Sequence, residues 1–360
     1  MGADDTVTDG SVTATESVDT TLTVSVAGRP VAGKTLLGGV GLLGLLVSPA
    51  ILPNFLVQIL TLSLILSIFA ISVDLLWGYT GILTFGHAVF LGSGAYVMGK
   101  LLDTVGTGPE IVYLGFLVGT LVSGLLGLAI AGVLFSRGIG EDYFTIITLA
   151  LAIIAQQTAV SWSSVTNGAN GLLIPGAEIG IPAVFAVDLS GLAMYYLCVL
   201  VLLGAYLLGR RIVASPFGRV LVAINENEKK ADSLGYDTGK YKTIVFGISS
   251  GIAGFAGTLY ALSEGFVSPP TLGFIQSTDV LIWVLVGGRG TLVGGIIGTV
   301  LLRFFENTIS GALAFSWVLV LGIALILIVL LFPQGIVGVL SIARDRLTDR
   351  LTDATNTDTD

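Results

Sequence analysis

The sequence contains a series of apolar stretches, each about as long as a bilayer is thick, and this series limits the folds that the chain can adopt. A membrane-spanning helix needs about 20 mainly apolar residues, and nine stretches of the sequence come near that length. They are roughly residues 36–52, 55–76, 82–102, 111–135, 144–162, 192–209, 243–262, 279–306 and 314–332. Because 54% of the residues are hydrophobic and 11% are charged, an ordinary water-soluble domain is excluded. The pattern predicts an all-α polytopic membrane protein.

One long polar segment, residues 210–242, interrupts this series. It holds seven of the sixteen Lys and Arg residues and four acidic residues, and such a basic excess is typical of cytoplasmic loops. Ser215 followed by Pro216 favours a helix start, and Gly235 favours a helix end. We therefore predict an amphipathic helix over residues 216–234, either touching a partner or only lying on the membrane surface. Its predicted apolar stripe is Val220, Leu221, Ala223, Ile224, Ala231 and Leu234.

The positions of the basic residues also predict the topology. Six spans precede the polar loop, which places the N-terminus in the cytoplasm, and Arg344, Arg346 and Arg350 place the C-terminus there too. Residues 279–306 must then cross twice or re-enter, turning at residues 287–291. We expect about eight to ten transmembrane helices, most simply ten, with broken or re-entrant segments.

The ends of the chain differ in composition from its middle. Residues 1–27 carry five acids and no base, so residues 1–35 are predicted to be a disordered acidic tail. The membrane domain is then 36–340 and residues 341–360 a cytoplasmic tail. Acidic tails suggest a salt-adapted prokaryote. A GxxxxGK[ST] match at residues 28–35 precedes a membrane span instead of opening a soluble helix, so it does not predict nucleotide binding.

Residues 72–99 are the candidate translocation path, because glycines at this density favour a broken helix. Backbone groups freed by such a break must line a cavity or be buried in protein. An intramembrane Asp74 or His87 is a functional hypothesis; alternatively, Asp74 caps a half-helix and His87 is a buried packing residue. The candidate path residues are Asp74, Gly78, Tyr79, Thr80, Gly81, Thr84, Gly86, His87, Gly92 and Ser93, with Gly287, Gly288, Arg289, Gly290 and Thr291.

The sequence does not indicate an enzyme or a metal-binding protein. With one histidine and one cysteine, neither a catalytic set nor a multi-ligand metal site is predicted. Aromatic residues do not interleave with a basic patch, so nucleic-acid binding is not expected. A transport role in the lipid bilayer fits better than an enzyme.

Four stretches carry a family resemblance: DLLWGYTGILTFGHAVFLGSGAYVMG (74–99), GRVLVAINENEKKADSLGYDTGKYKTIVFGISSGIAGFAGTLYA (218–261), DVLIWVLVGGRGTLVGGIIGT (279–299) and LFPQGIVGVL (331–340). Their content and order resemble the permeases of ABC importers of the branched-chain amino-acid and urea type. The resemblance is to the larger of the two related permeases in such importers.

The resemblance implies a plasma-membrane subunit that forms the path for branched-chain amino acids or for urea and short amides. It implies a second related permease, two cytoplasmic ABC ATPases and an extracytoplasmic solute-binding protein, with ATP on the partners and no cofactor on this chain. The residues expected to couple to the ATPases are Pro216, Phe217, Gly218, Arg219, Ala223, Glu226, Ala231 and Gly235. The alternative is a stand-alone secondary transporter or channel for a small polar solute.

Overall fold

The computed structural model describes residues 43–137, 140–181 and 185–310, and also residues 41, 322, 335, 336 and 338. Both predicted tails, the match at 28–35 and, apart from residue 322, the predicted span at 314–332 lie outside the described residues. The domain boundaries therefore stay predictions.

The described part of the chain is almost entirely helical, as the apolar stretches predict. Residues 43–51 are helical. The helices that follow are α1 (Asn54–Thr80), α2 (Ala88–Thr104), α3 (Pro109–Phe135), α4 (Glu141–Ser161), α5 (Ser163–Thr166), α6 (Gly191–Ala214), α7 (Pro216–Ser233), α8 (Thr238–Glu264), α9 (Phe274–Gly287) and α10 (Val293–Ser310). Five of them, α1, α3, α4, α6 and α8, are long and apolar enough to cross a membrane. The protein is an all-α polytopic membrane protein.

Helices α1 and α8 form the centre of the bundle. In the most apolar part of each, 78% of the residues are buried, whereas the share is 22–28% for α3, α4 and α6. The outer helices keep apolar side chains such as Leu117, Ile153 and Leu200 exposed, which suits contact with lipid or with another membrane subunit.

Small residues allow α3 and α8 to pack closely. The buried face of α3 carries a small residue at every fourth position: Gly115, Gly119, Ser123, Gly127 and Ala131. A side chain at Gly254 of α8 would collide with Ser123 and with the Gly119 carbonyl. Such a stripe lets helix backbones approach without large side chains between them, as is common in membranes.

Short strands mark the end of the molecule opposite α7. Strand β1 (Leu172–Leu173) pairs with β4 (Phe266–Val267), and β2 (Glu178–Ile181) pairs with β3 (Phe185–Asp188), both antiparallel. Helix α8 has 27 residues, about 40 Å at 1.5 Å per residue. Because α7 precedes its first residue and β4 follows its last, α7 and the β1–β4 pair lie on opposite sides of the membrane.

Both predicted helix breaks are confirmed. Residues 81–87 separate α1 from α2, and Gly81 ends α1 with a left-handed backbone (φ 82°). Residues 288–292 separate α9 from α10, so the stretch 279–306 folds as two helices joined by a turn.

The predicted helix of the polar loop needs two corrections. Helix α7 begins at Pro216, with the Ser215 hydroxyl accepting a hydrogen bond from the Gly218 N–H (3.2 Å), as expected. However, it is kinked at Asn227 (φ −162°, ψ 97°). The assignment of Ala223 and Leu234 to its apolar stripe was wrong, because both are exposed; Leu234 lies beyond the last helical residue and is 71% exposed.

Candidate coupling and translocation site

Asp74 of α1 holds the turn between α9 and α10. Its carboxylate accepts hydrogen bonds from the Gly290 N–H (2.6 Å) and the Leu292 N–H (2.7 Å), and the residue is fully buried. These N–H groups lie directly before α10, where a helix start lacks acceptors of its own. Asp74 therefore holds the turn that leads into α10, from a neighbouring helix and across 216 positions of sequence; its role in the translocation path stays a prediction.

The turn itself requires an unusual backbone. Gly288 (φ 121°) and Gly290 (φ 77°) occupy the region that favours glycine, and Leu292 (φ 55°) lies there despite its side chain. A left-handed backbone costs a non-glycine residue about 1–2 kcal/mol. Asp74 and the burial of the Leu292 side chain, 3% exposed, offset that cost.

Two further contacts fix the turn against the end of α1. The Arg289 guanidinium donates to the Trp77 carbonyl from Nε (3.1 Å) and from its terminal nitrogen (2.7 Å), and lies over the Trp77 ring at 4.8 Å. A side chain at Gly78 would sit 2.7 Å from the Gly290 backbone nitrogen. The absence of a side chain at Gly78 is what permits this approach.

Helix α7 reaches the same place through Asn225. Its side-chain amide donates to the Gly78 carbonyl (3.3 Å). The end of α1, the turn at 288–292 and α7 thus meet at one point, which we name the junction: Asp74, Gly78, Asn225 and residues 288–292. Helix α7 therefore contacts the end of α1 that also holds the turn between α9 and α10.

The inner face of α7 packs on the bundle. Val220, Ile224 and Ala231 form a small buried cluster against Tyr241 of α8, and the Phe217 ring stacks on Tyr241 at 5.3 Å. Burial of this face anchors α7 across the ends of the membrane helices.

Beyond the kink, an ion pair ties α7 to α8. The Asn227 side chain caps the second half of α7 by accepting from the Lys230 N–H (2.9 Å). Glu228 then pairs with Lys242 (2.7 Å), whose side chain is 3% exposed and lies over the Phe135 ring at 5.6 Å. A buried ammonium needs such a partner, because removing it from water is costly.

Asp237 caps the start of α8 on the same side of the protein. Its carboxylate accepts from the Lys240 N–H (3.0 Å) and pairs with the Lys240 ammonium (2.8 Å). The hydrogen bonds from Lys240 hold the pKa of Asp237 below its usual value. A surface cavity of about 820 Å³ lies here. It is lined by the C-terminal end of α3, the α7–α8 connection and the start of α8.

The predicted coupling residues divide by exposure. Pro216, Arg219, Ala223, Glu226 and Gly235 are exposed and open to a partner. Gly218 and Ala231 are buried and Phe217 is partly buried, so these three pack within the chain.

His87 lies at the centre of an aromatic cluster. Its Nε2 is within hydrogen-bond distance of the hydroxyls of Ser72 (3.2 Å) and Ser249 (3.1 Å). The ring stacks on Phe69 and meets Phe90 and Phe246 edge to face, with centroids 5.4–6.0 Å apart. His87 is fully buried and joins α1, the start of α2 and α8, which is the packing role considered for it.

Backbone groups freed by the break at 81–87 are satisfied by side chains. Thr145 of α4 donates to the Leu83 carbonyl (3.1 Å), the Gly86 N–H donates to Thr84 (3.2 Å), and the Ala88 N–H donates to Ser277 of α9 (3.0 Å). Residues 82, 84, 86 and 87 of the break are buried and residues 81, 83 and 85 are partly buried, so protein contacts hold much of the break.

Two of the path candidates, Gly92 and Ser93, lie apart from the junction. Ser93 bonds Ser123 of α3 (2.8 Å), and Gly92 packs against Leu272. Tyr79 and Thr80 end α1. The structure thus brings Asp74 and Gly78 together with residues 288–291, whereas Gly92 and Ser93 lie on the α2 surface facing other helices.

The roles of Asn225, Lys242 and Ser249 were not predicted from the sequence. Asn225 is one of several polar residues on α7, and its contact with Gly78 depends on how α7 lies across α1. Lys242 carried a weak signal, since a lysine inside the first turns of a membrane helix needs a partner.

The family model described as "Branched-chain amino acid transport system / permease component" matches residues 55–330. This range contains the junction and α7. The chain belongs to this family. It is a transport subunit, a permease of the ABC importer type.

Curated relatives of the permease include proteins named LivM and proteins named LivH. The high-affinity branched-chain amino acid transport system permease protein LivM of Escherichia coli K12 is 29% identical over 310 residues, covering 78% of this chain and 69% of the relative. The probable LivM protein of Methanocaldococcus jannaschii is 25% identical over 312 residues, covering 75% and 89%. The LivH permease of Escherichia coli K12 is 25% identical over 291 residues, covering 77% and 92%. No solved structure matches the chain significantly.

Proposed function

We propose that this permease forms part of the path of an ATP-driven importer of branched-chain amino acids. The observation that carries the proposal is the family match over residues 55–330, since LivM and LivH relatives are named for branched-chain amino acid transport. Their two names support a second, related permease as partner. We further propose two cytoplasmic ATPases and an extracytoplasmic solute-binding protein, with ATP bound by the partners.

The proposed contact with an ATPase is the exposed face of α7. Pro216, Arg219, Ala223 and Glu226 lie on the part of α7 before its kink, and the opposite face is anchored in the bundle. A partner pressing on this face would move α7 as a unit. We propose that α7 lies on the cytoplasmic side and the β1–β4 pair outside.

The proposed transmission runs from α7 through the junction. Asn225 contacts the end of α1, and Glu228 contacts α8 through Lys242. Movement of α1 changes the place where Asp74 holds residues 290 and 292. The pair α9–α10 then shifts relative to α1, which is the rearrangement that alternating access requires.

Uptake measurements test the substrate. Cells with and without the gene are given labelled leucine or labelled urea at limiting concentration. We expect the deletion to abolish leucine uptake and to leave urea uptake unchanged. Loss of urea uptake alone would overturn the amino-acid assignment, and leucine uptake that survives ATP depletion would favour a stand-alone carrier.

A charge reversal tests the contact on α7. In the assembled importer, Arg219→Glu should abolish the rise in ATP hydrolysis that solute-loaded binding protein causes, because an exposed contact charge changes sign. Arg211→Glu, an exposed arginine at the end of α6, is the matched control and should retain the rise. Full stimulation of the Arg219→Glu importer would contradict the role of α7.

A further inference from the structure

Four charged residues gather at the end of the bundle opposite α7. They are Glu264 at the end of α8, Asp279 in α9, and Arg303 and Glu306 in α10; we call them the charged cluster. Arg303 interacts electrostatically with Glu264 and Asp279, and Asp279 also with Glu306. Charged groups inside a membrane domain are costly and commonly mark substrate pathways.

The arginine of the cluster is only partly used by its neighbours. One terminal nitrogen of Arg303 donates to Glu306 (2.6 Å). Its Nε is buried and lacks a hydrogen-bond partner within the described part of the chain. Buried donors are rarely left unpaired, so the Nε edge of the guanidinium is open to an acceptor that the described residues do not supply.

The cluster is mechanically linked to the junction. Asp279 precedes the turn at 288–292 by nine residues, and Arg303 follows it by eleven. At 1.5 Å per residue, both residues lie about 14–17 Å from the turn along their helices. Helices α9 and α10 continue from the cluster to the turn that Asp74 holds. A shift of this pair at the junction therefore changes the cluster at the other end.

We propose that the charged cluster binds the zwitterionic head of an α-amino acid. The Nε edge of Arg303 receives the α-carboxylate, since a guanidinium edge matches a carboxylate with two parallel hydrogen bonds. Asp279 and Glu264 receive the α-ammonium. The inference rests on the proposed function and deepens it, because it assigns the part of the substrate that all α-amino acids share.

The charge balance of the cluster supports this ligand. Three carboxylates lie near one guanidinium, so the cluster has excess negative charge and attracts an ammonium group. A zwitterion supplies that ammonium together with the carboxylate that the Nε edge lacks. Urea carries neither charge and forms no ion pair, so the cluster favours an amino acid over urea. A purely structural ion pair between Arg303 and Glu306 does not account for Asp279 and Glu264 lying beside it.

Direct binding to the assembled importer tests the inference. Labelled leucine is titrated onto the purified complex of both permeases and ATPases, without the solute-binding protein. Arg303→Gln and Asp279→Asn should each weaken binding about tenfold to hundredfold, as expected for loss of a charge-assisted contact. Leucinamide, which lacks the carboxylate, should compete with leucine for the wild-type complex at least about tenfold more weakly.

Charge swaps separate binding from structure. Arg303→Glu with Glu306→Arg keeps an ion pair three residues apart but moves the guanidinium, and should lose leucine binding while the complex still assembles. The matched control is Lys100→Asp with Asp103→Lys, which swaps an exposed pair of the same spacing in α2 and should bind normally.

Two results overturn the inference in distinguishable ways. Leucine import by the wild type together with unchanged binding in the Arg303 swap overturns the role of the charged cluster alone. Failure of the wild-type importer to take up any branched-chain amino acid overturns the proposed function, and the inference with it.

Discussion

Replacing Asp74 by alanine tests whether one buried carboxylate holds the turn at 288–292. The change removes the acceptor of two backbone N–H groups, those of Gly290 and Leu292. A hydrogen bond to a charged group contributes about 1.5–3 kcal/mol. Gly290 is only partly buried, so water replaces some of its bond, and we expect the turn to open more easily by about 3–4 kcal/mol.

Amide hydrogen exchange measures this opening locally. Since 1.4 kcal/mol corresponds to a factor of ten, exchange in a peptide covering residues 285–295 should accelerate about 100- to 1000-fold. Asp74→Asn keeps one acceptor oxygen and should give an intermediate acceleration. Global stability is a poorer probe, because removing a buried carboxylate also removes the cost of burying it.

A control variant and a control peptide complete the test. Asp103→Ala removes an exposed carboxylate from α2 and should leave exchange at 285–295 unchanged. Peptides from the packed contact of α3 and α8 should keep their protection in the Asp74 variant. Unaltered exchange of residues 288–292 in Asp74→Ala would show that the turn does not depend on this carboxylate.

Three further predictions concern the same region. Gly78→Ala should lower the Tm of the purified permease by the equivalent of about 1–3 kcal/mol, because its new methyl group meets turn backbone that cannot move aside. Glu228→Gln should lower the Tm more than Lys242→Met, because only the former leaves an ammonium buried without its carboxylate. The stabilisation by Asp237, whose pKa is lowered in the folded protein, should be present above its usual pKa and lost as the pH falls through the lowered value; it is measured as the Tm difference from Asp237→Asn across pH.

Each of these has a result that counts against it. Gly132→Ala, where the nearest atom is 3.8 Å away, should leave the Tm unchanged, and an equal loss in both glycine variants would point to a general effect of alanine. Equal losses in the Glu228 and Lys242 variants would show that the ammonium is adequately solvated. A Tm difference for the Asp237 variant that does not vary with pH would exclude the carboxylate as the stabilising group.

Much of the helical plan was predictable because it depends on local chemistry. A span-length apolar stretch can satisfy its backbone in a membrane only as a helix, and Ser215–Pro216 fixes the start of α7. The breaks at 81–87 and 288–292 follow from glycine density. The kink at Asn227 was not predictable, since asparagine caps helices in some contexts and continues them in others.

The site depended on pairings between residues that are far apart in the sequence, and these pairings are set by the fold. The sequence alone predicts that Asp74 and His87 stand in an apolar segment and need partners, and that Arg289 lies at a turn. It did not determine that the partner of Asp74 is backbone 216 positions away, or that Asn225 reaches Gly78. Helix propensity and hydropathy reflect residues within a few helical turns of one another. The contacts of the site depend instead on how α1, α7 and the turn at 288–292 pack together, and this packing is set by the shapes of all the helices at once.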